Sequence, residues 1–560
     1  MVRMLLMWTP FVLLLLAGVA PEAAAQFSAE EEANFSASRN AATSAPLPQD
    51  LLPGAQIVGD GQPLSLGEAV AMGIRNGLDV EVERYAPLIA ETEKDGAWGA
   101  YNPRLFADAL YDVAKSPNTS VINQASANRD RVQGGGVGFE QLVPYLGASL
   151  TAEYRSTSTK TRTTFQSLSA QFDSSFFVTA RVPLARDLIW NTAWTNVKTS
   201  SLAYEQSEQA FQQSLMDIVE STVNRYWDLV AARDRVRVAQ KSLQTARALL
   251  QQTETQYEVG VVSRVEVVES EAGVAERESD LIRDANIYRR AQDQLIDAVL
   301  GPQLAATTDV QLVPTEDPSV ESDRTVNLAE AVRTAFLKRP ELAQATNAID
   351  QGEVALKFAK NQRLPQLDAE VRFGYVGVSG RQNPNLRSFS DPPQPIGNVQ
   401  TAGPNNASED FFSNDGSENY SARGIFSIPV PNTLGRKRVK QREFELRRAE
   451  SRRKRSEQVI ILEVRDAART LLSSAQGIDA AERRRLSAEE QLRAERIRLE
   501  HGESTPFEVL QREEKLVEAE NLKIVALQTY RAAEVALDRA QGTILEVHEV
   551  EVEGILERDR

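Results

Sequence analysis

Leu66-Gly67-Glu68-Ala69-Val70 returns downstream as Leu328-Ala329-Glu330-Ala331-Val332, and the register then holds without a gap: Asp79 meets Glu341, Pro103 meets Pro365 and Leu105 meets Leu367. A constant offset over about 40 residues marks an internal duplication. Farther on, Arg181-Val182-Pro183 corresponds to Ser427-Ile428-Pro429. Tyr257-Glu258-Val259-Gly260, followed by Val265-Glu266-Val267-Val268, corresponds to Leu499-Glu500-His501-Gly502, followed by Phe507-Glu508-Val509-Leu510. Two copies of roughly 250 residues, with the same ordered parts, follow each other.

Each copy opens with two helical stretches, Leu66 to Arg75 then about 79–101, and Leu328 to Leu337 then about 341–362, whose apolar residues recur three and four apart. Pro103 and Pro365 stop them and begin extended runs. Ala369, Val371, Phe373 and Tyr375 alternate with Glu370, Arg372 and Gly374; Tyr420, Ala422, Gly424, Phe426 and Ile428 alternate with Ser421, Arg423, Ile425 and Ser427. In the first copy Phe176, Val178, Ala180 and Val182 alternate with Phe177, Thr179 and Arg181, and Leu105 to Val113 is a weaker example. Runs of about nine residues with one apolar and one polar side suit strands between lipid and a wet lumen; taken alone they suit a soluble sandwich as well. The polar stretches Lys115 to Gly136, Arg155 to Gln171 and Gly377 to Asn419 read as long connectors. An additional alternating segment, Ala148, Leu150, Ala152 and Tyr154, stands behind Gly134-Gly135-Gly136 and is compatible with an extra hairpin that the repeat scheme does not place.

A very long helical region follows. Between about Asn196 and Tyr257 there is no proline or glycine. Leu229, Val236, Leu243, Leu250 and Tyr257 fall seven apart, with Ala232, Ala239, Ala246 and Thr253 three residues after the first four, an a/d seam of large and small side chains. The second copy repeats it with Val464, Leu471, Ile478, Leu492 and Leu499, interrupted by Arg485. Gly260 and Gly502 mark turns into shorter returning helices. Some 65 helical residues reach on the order of 100 Å, too long for the core of a compact domain, so these hairpins must pack beside other hairpins.

The chain has 560 residues, a formal net charge of −16, no cysteine and two histidines, His501 and His548. That balance argues against nucleic acid as a partner, and the residue types for a transition-metal site are lacking. P-loop, G-x-S-x-G, H-E-x-x-H and dinucleotide fingerprints are absent from the sequence, so neither an enzyme nor a cofactor is expected. Arg3, the apolar run Leu5 to Val19 and Ala23-Ala24-Ala25 have the layout of a signal peptide. No later stretch supplies about 18 apolar residues, so membrane entry requires a β-barrel. The basic run Arg436 to Arg455, interleaved with Glu443, Glu445 and Glu450, reads as a solvated helix face, or as a neighbour of anionic lipid head groups.

Helices, proline, strand, long loop, strand, proline, long coiled helix, glycine turn and returning helix, all twice: this order resembles the TolC-like outer membrane efflux proteins over essentially the whole mature chain. The resemblance implies an α+β membrane protein: a long antiparallel α-helical coiled-coil barrel plus a transmembrane antiparallel β-barrel, two tandem repeats per chain. It implies a homotrimer in the Gram-negative outer membrane, extending into the periplasm, with four strands per chain in a twelve-stranded barrel held in outer-membrane lipid. It implies a passive exit duct for tripartite efflux or type I secretion, partnered by a periplasmic adaptor (membrane fusion) protein and an inner-membrane pump. Independently, four strands cannot close a barrel, since small barrels need about eight, so several copies must associate. A family acid just after the hairpin turn rings the narrow end of the duct; the matching residues are Glu266 and Glu508, where the family usually has aspartate. A second acid is replaced by Gln511, and an arginine often found in the turn corresponds to Ser504. A carboxylate ring would favour cations; the alternative is that both acids simply complement a helix N-terminus. The adaptor-docking turns would be Gly260, Val261 and Ser263, and Gly502, Ser504 and Thr505. A periplasmic adaptor or a coiled-coil scaffold without a pore are the competing readings, each lacking repeated strand pairs.

The expected organisation is therefore a signal peptide over 1–25, an extended segment over 26–63, a first repeat over 64–301 (strands about 105–113 and 172–183, helical hairpin 186–300), a linker over 302–325, a second repeat over 326–545 (strands about 367–376 and 420–429, hairpin 434–541) and a tail over 546–560.

Overall fold

The structure, a computed structural model, describes residues 61–117, 127–160, 168–303, 310–319, 326–383, 404–413 and 418–556. The expected signal peptide and most of the N-terminal extended segment lie outside the described residues. Among those residues the strands are β1 (Gln62–Leu64), β2 (Arg104–Pro117), β3 (Ala127–Leu142), β4 (Ser149–Lys160), β5 (Leu168–Pro183), β6 (Leu312–Pro314), β7 (Gln366–Gln382) and β8 (Glu418–Ser427). The α-helices are α1 (Leu66–Asn76), α2 (Leu78–Trp98), α3 (Thr192–Glu258), α4 (Arg264–Leu300), α5 (Leu328–Lys338), α6 (Pro340–Gln362), α7 (Pro404–Ser413), α8 (Thr433–Glu500), α9 (Pro506–Gln541), α10 (Ile544–Val547) and α11 (Val552–Leu556). Residue contacts divide the chain into two compact units, to which α3, α8 and α9 each contribute a part.

The first unit comprises residues up to Leu78, Arg225–Ser319 and Ala481–Gln528. Ser65 caps α1, its hydroxyl accepting from Glu68 N at 3.3 Å while Ser65 N donates to Glu68 Oε2 at 3.0 Å. The inner side of α1, Ala69 and Val70, is buried with Tyr226, Leu229, Leu295 and Val299; full burial of each large apolar side chain contributes about 1.5–3 kcal/mol. The segment expected to be a linker over 302–325 is not only that: β6 pairs in parallel with β1, Gln62 opposite Leu312. Two side chains of α3 hold it there. Tyr226 Oη donates to Leu64 O at 3.1 Å, and the buried Arg233 donates to Pro314 O at 2.6 Å. The seam read from the sequence is mostly the buried side of α3: Leu229, Ala232, Val236, Ala239, Leu243, Ala246 and Thr253 are buried, while Leu250 is half-buried and Tyr257 exposed. Arg485, which interrupts the second seam, is taken up by ion pairs to Glu482 and Glu489, both at 2.9 Å.

The second unit comprises Asp79–Asn224, Val320–Ala480 and Thr529–Arg560. Its helices pack around Ala331, Ala335, Leu342, Ile460, Val464 and Ala540, and around Ala468, Leu471, Tyr530, Ala533 and Leu537. The end of the expected second repeat and the expected tail over 546–560 carry the short helices α10 and α11, with Ile544 and Leu545 buried.

The sheet of this unit departs from the four strands expected. It has six, in the order β2-β3-β4-β5-β7-β8, all antiparallel. Much of the two polar connectors in the first copy is strand, because a strand with water on one face needs only alternate apolar residues. β2 runs on to Pro117, β3 begins at Ala127, β4 ends at Lys160 and β5 begins at Leu168. The unplaced alternating segment is β4, hydrogen-bonded between β3 and β5. The third connector contains α7, which lies on the sheet where its residues are small: Tyr154 Oη and Ser408 Oγ are 2.7 Å apart, Ser408 Oγ is 3.4 Å from Ser174 Oγ, and the Tyr154 and Phe411 rings meet edge-on at 6.3 Å.

Candidate functional site

The sheet has two chemically different faces. Across one rung stand Leu105, Phe139, Ala152, Val178, Phe373 and Tyr420, and across another Gln141, Leu150, Ala180, Val371 and Ala422. Leu105 is 81% and Tyr420 84% exposed, an arrangement water would penalise and lipid would not. The opposite face carries ion pairs between strands. Arg104 meets Glu140, Arg181 meets Asp368 at 2.5 Å, Arg423 meets Glu370, and Arg155 meets Asp108 at 2.8 Å. Arg372 lies over the Phe177 ring at 3.5 Å. These charged residues were not singled out as functional from the sequence, although Glu370, Arg372 and Arg423 were visible as the polar members of alternating runs.

The two hairpin turns have the same geometry. At the end of α3, Gly260 N donates to Tyr257 O and Val261 N to Gln256 O, both at 2.9 Å; at the end of α8, Gly502 N donates to Leu499 O at 3.0 Å and Glu503 N to Arg498 O at 2.9 Å. Both are Schellman turns, and the left-handed residue they need is supplied by Gly260 at φ 81° and Gly502 at φ 76°. Val259 and Val261 are each 71% exposed beside the first turn, and Phe507 is exposed beside the second. Ser263 and Thr505 precede the returning helices; Ser504 Oγ is buried without a hydrogen-bond partner.

The two acids at the helix starts differ. Glu266 folds back, its Oε2 accepting from Ser263 N at 3.0 Å, as an N-terminal capping acid does. Glu508 is exposed, and only its backbone N–H is engaged with Thr505 Oγ1, at 3.4 Å. Beneath the turns, Ala246, Leu249, Leu492, Val509 and Leu510 form one cluster drawn from α3, α8 and α9. Beside it lies Glu513, which sequence reading passed over as one more helical glutamate. Glu513 is 3% exposed, and its Oε2 has no hydrogen-bond partner. Burial pushes its carboxyl up to about 7, against the pull of Arg496 and Arg277. The groove it lines, about 440 Å³, also has Lys241, Ser242, Thr245 and Leu492 on its walls.

Among the described residues no cluster of three or more His, Asp or Glu side chains could hold a metal, and no helix is long and apolar enough to cross a membrane. The model of the outer membrane efflux protein family matches residues 122–301 and 331–543, more than half of the chain. The chain belongs to that family. As an outer membrane efflux protein it is not an enzyme, and it resides in the outer membrane and extends into the periplasm. Its fold is similar to that of the outer-membrane channel OprN, with a TM-score of 0.61 and 15% identity over 85% of this chain and 90% of that one. It is also similar to the Campylobacter jejuni CmeC outer membrane channel, with a TM-score of 0.59 and 14% identity over 88% and 89% of the two chains. CusC is a third similar structure, with a TM-score of 0.60 and 14% identity over 89% and 96%. In sequence, this efflux protein is 24% identical to the pyoverdine export outer membrane protein OpmQ of Pseudomonas putida over 293 residues; the match covers 50% of this chain and spans 58% of that relative's length.

Proposed function

We propose that this protein is one subunit of a homotrimeric exit duct, with the sheets of three copies closing into a barrel in the outer membrane and their helical hairpins forming the periplasmic conduit. The observation that carries the reading is the sheet itself: one apolar face, one face of ion pairs, and two open edges, β2 and β8. A sheet with those faces is stable in a bilayer only when its edges are paired, and a six-stranded sheet cannot pair its own. Copies of the chain supply the missing partners through cyclic symmetry. Transport is passive, driven by an inner-membrane pump that reaches the duct through a periplasmic adaptor. The exposed Val259, Val261 and Phe507 at the two matched turns suit the adaptor contact. Glu508 and Glu266, each in the first turn of a returning helix, supply the acidic gate.

The test is native mass spectrometry of the detergent-solubilised protein together with planar-bilayer recording of the same preparation. A trimer that conducts, with cations preferred over anions, is the expected result; a water-soluble monomer without conductance overturns the reading.

A further inference from the structure

We propose that the membrane wall of this duct is an eighteen-stranded barrel, six strands from each of three chains, wide enough in the outer membrane to be an open aqueous pore for bulky hydrophilic cargo. The strand count per chain is a property of this fold; the factor of three rests on the trimeric reading above.

The hairpin β3–β4 is what raises the count. Between α6 and α8 the chain makes two strands, β7 and β8; between α2 and α3, in the corresponding part of the other half, it makes four. The two outer ones correspond in sequence, Leu105 of β2 to Leu367 of β7 and Pro183 of β5 to Pro429 just after β8. β3 and β4 have no counterpart.

Three observations place the hairpin in the wall rather than on it. First, its ladders are continuous. β3 pairs with β2 from Ala127 to Glu140 and with β4 from Arg131 to Leu142, and β4 pairs with β5 from Ser149 to Lys160. It sits inside the sheet, not at an edge. Second, its faces agree with those of its neighbours. Phe139, Leu150 and Ala152 fall on the apolar rungs shared with Leu105, Val178, Val371 and Phe373, and Val137 on the next rung of the same face, with Tyr154 and Phe176. Third, the hairpin is fitted to β2 through its glycines. Arg155 of β4 reaches over Gly136 of β3 to hold Asp108 of β2 with two hydrogen bonds, at 2.8 and 3.0 Å. The Phe106 ring of β2 lies over Gly138, where a Cβ would stand 2.2 Å from the ring. Glycines on the polar side of β3 let side chains from both neighbours cover it, which is the use of Gly136 and Gly138.

Inserting one hairpin between β2 and β5 leaves the direction of every other strand unchanged. The edges β2 and β8 therefore keep the antiparallel sense that pairing with a neighbouring copy needs. What changes is the circumference. Barrel diameter grows about linearly with strand number, so six strands per chain in place of four widen the barrel roughly 1.5-fold, into the range where 16–18 strands enclose an aqueous channel rather than a side-chain core. Cargo selection is then left to the helical conduit.

The chain has no cysteine, so single cysteines report cleanly. Val137→Cys and Leu150→Cys, on the apolar face of the hairpin, and Glu153→Cys, on its polar face, are made in the full chain, reconstituted in lipid and treated with a membrane-impermeant maleimide. Labelling at 137 and 150 is expected to be about tenfold slower than at 153, because lipid covers the first two and lumen water reaches the third. Equal, fast labelling of all three in a preparation that native mass spectrometry reports as a trimer overturns the eighteen-stranded wall and leaves the trimer standing. A copy number other than three overturns the strand total through the trimeric reading, whatever the labelling. An electron cryomicroscopy cross-section of the wild-type protein through the sheet serves where a variant fails to fold: eighteen strands are expected, and twelve with β3–β4 outside the wall overturns the proposal.

Discussion

Gly273 of α4 lies directly against Leu510 of α9, so close that a Cβ on residue 273 would stand 2.8 Å from Leu510 Cδ1. That contact lets the two hairpins pack side by side. Gly273→Ala sets a gain in helix propensity of about 1 kcal/mol against the displacement of a flexible leucine tip, and should leave stability nearly unchanged. Gly273→Leu adds a side chain that has no room, and should cost about 1–3 kcal/mol. Thermal unfolding of both variants checks the contact; equal melting temperatures for the two would contradict it.

Arg339, 7% exposed at the start of α6, is held by Glu341 at 2.6 Å and by Glu463, and Arg539 joins Glu341 at 3.3 Å and Asp217 at 2.6 Å. Burial works against ionising Glu341, but the hydrogen bonds from Arg339 and from its own backbone N–H, together with the charges of Arg339 and Arg539, outweigh it and hold the carboxyl below its usual range. The stability it contributes is therefore present above the usual carboxylate range and is lost as pH falls through the depressed value. Glu341→Ala leaves a buried guanidinium short of a partner and should cost about 3–5 kcal/mol. Pairing it with Arg339→Met should recover much of that loss, and a double-mutant cycle measures how much.

Glu513 runs the other way. Its carboxyl is raised to about 7 by burial, so the folded state holds a proton there that the unfolded chain releases at ordinary carboxylate pH. Stability should fall as pH rises from the usual carboxylate range to about 7 and stay level beyond, with a cost on the order of 3 kcal/mol at the plateau. Glu513→Gln should melt higher than wild type above pH 7 and converge with it near pH 5. Parallel melting curves at every pH would remove Glu513 as the cause.

If the acids after the turns form the gate, their geometry ranks them. Glu266 is tied to Ser263 N, while the Glu508 side chain is exposed. In planar bilayers, Glu508→Gln should weaken cation preference more than Glu266→Gln, which keeps the hydrogen bond from Ser263 N and should lose mainly about 0.3–1 kcal/mol of charge–helix-dipole attraction. An unchanged reversal potential in Glu508→Gln sinks the gate assignment.

The order of helices and turns was legible because both are local. Ser65 and Asn327 at the N-caps, the heptad seam from Leu229 to Thr253, and the glycines at 260 and 502 specify their elements through neighbours a few residues away. The same locality made the two glycine turns readable by position, and left the roles of Glu266 and Glu508 open, since both stand in a first helical turn and differ only in what the side chain meets.

What the amino-acid sequence determined alone was the order of parts and the two-sided character of β5, β7 and β8, since alternation is written in adjacent residues. Tertiary structure decided the rest. That Ser- and Gly-rich stretches become β3 and β4 depends on ladders to β2 and β5 far along the chain. That Glu513 is buried while Glu508 is not depends on which helix packs over each. That residues 312–314 form a strand depends on Tyr226 and Arg233 of another helix. Each of these is a contact between segments distant in sequence, and its energy exists only once the chain has brought them together.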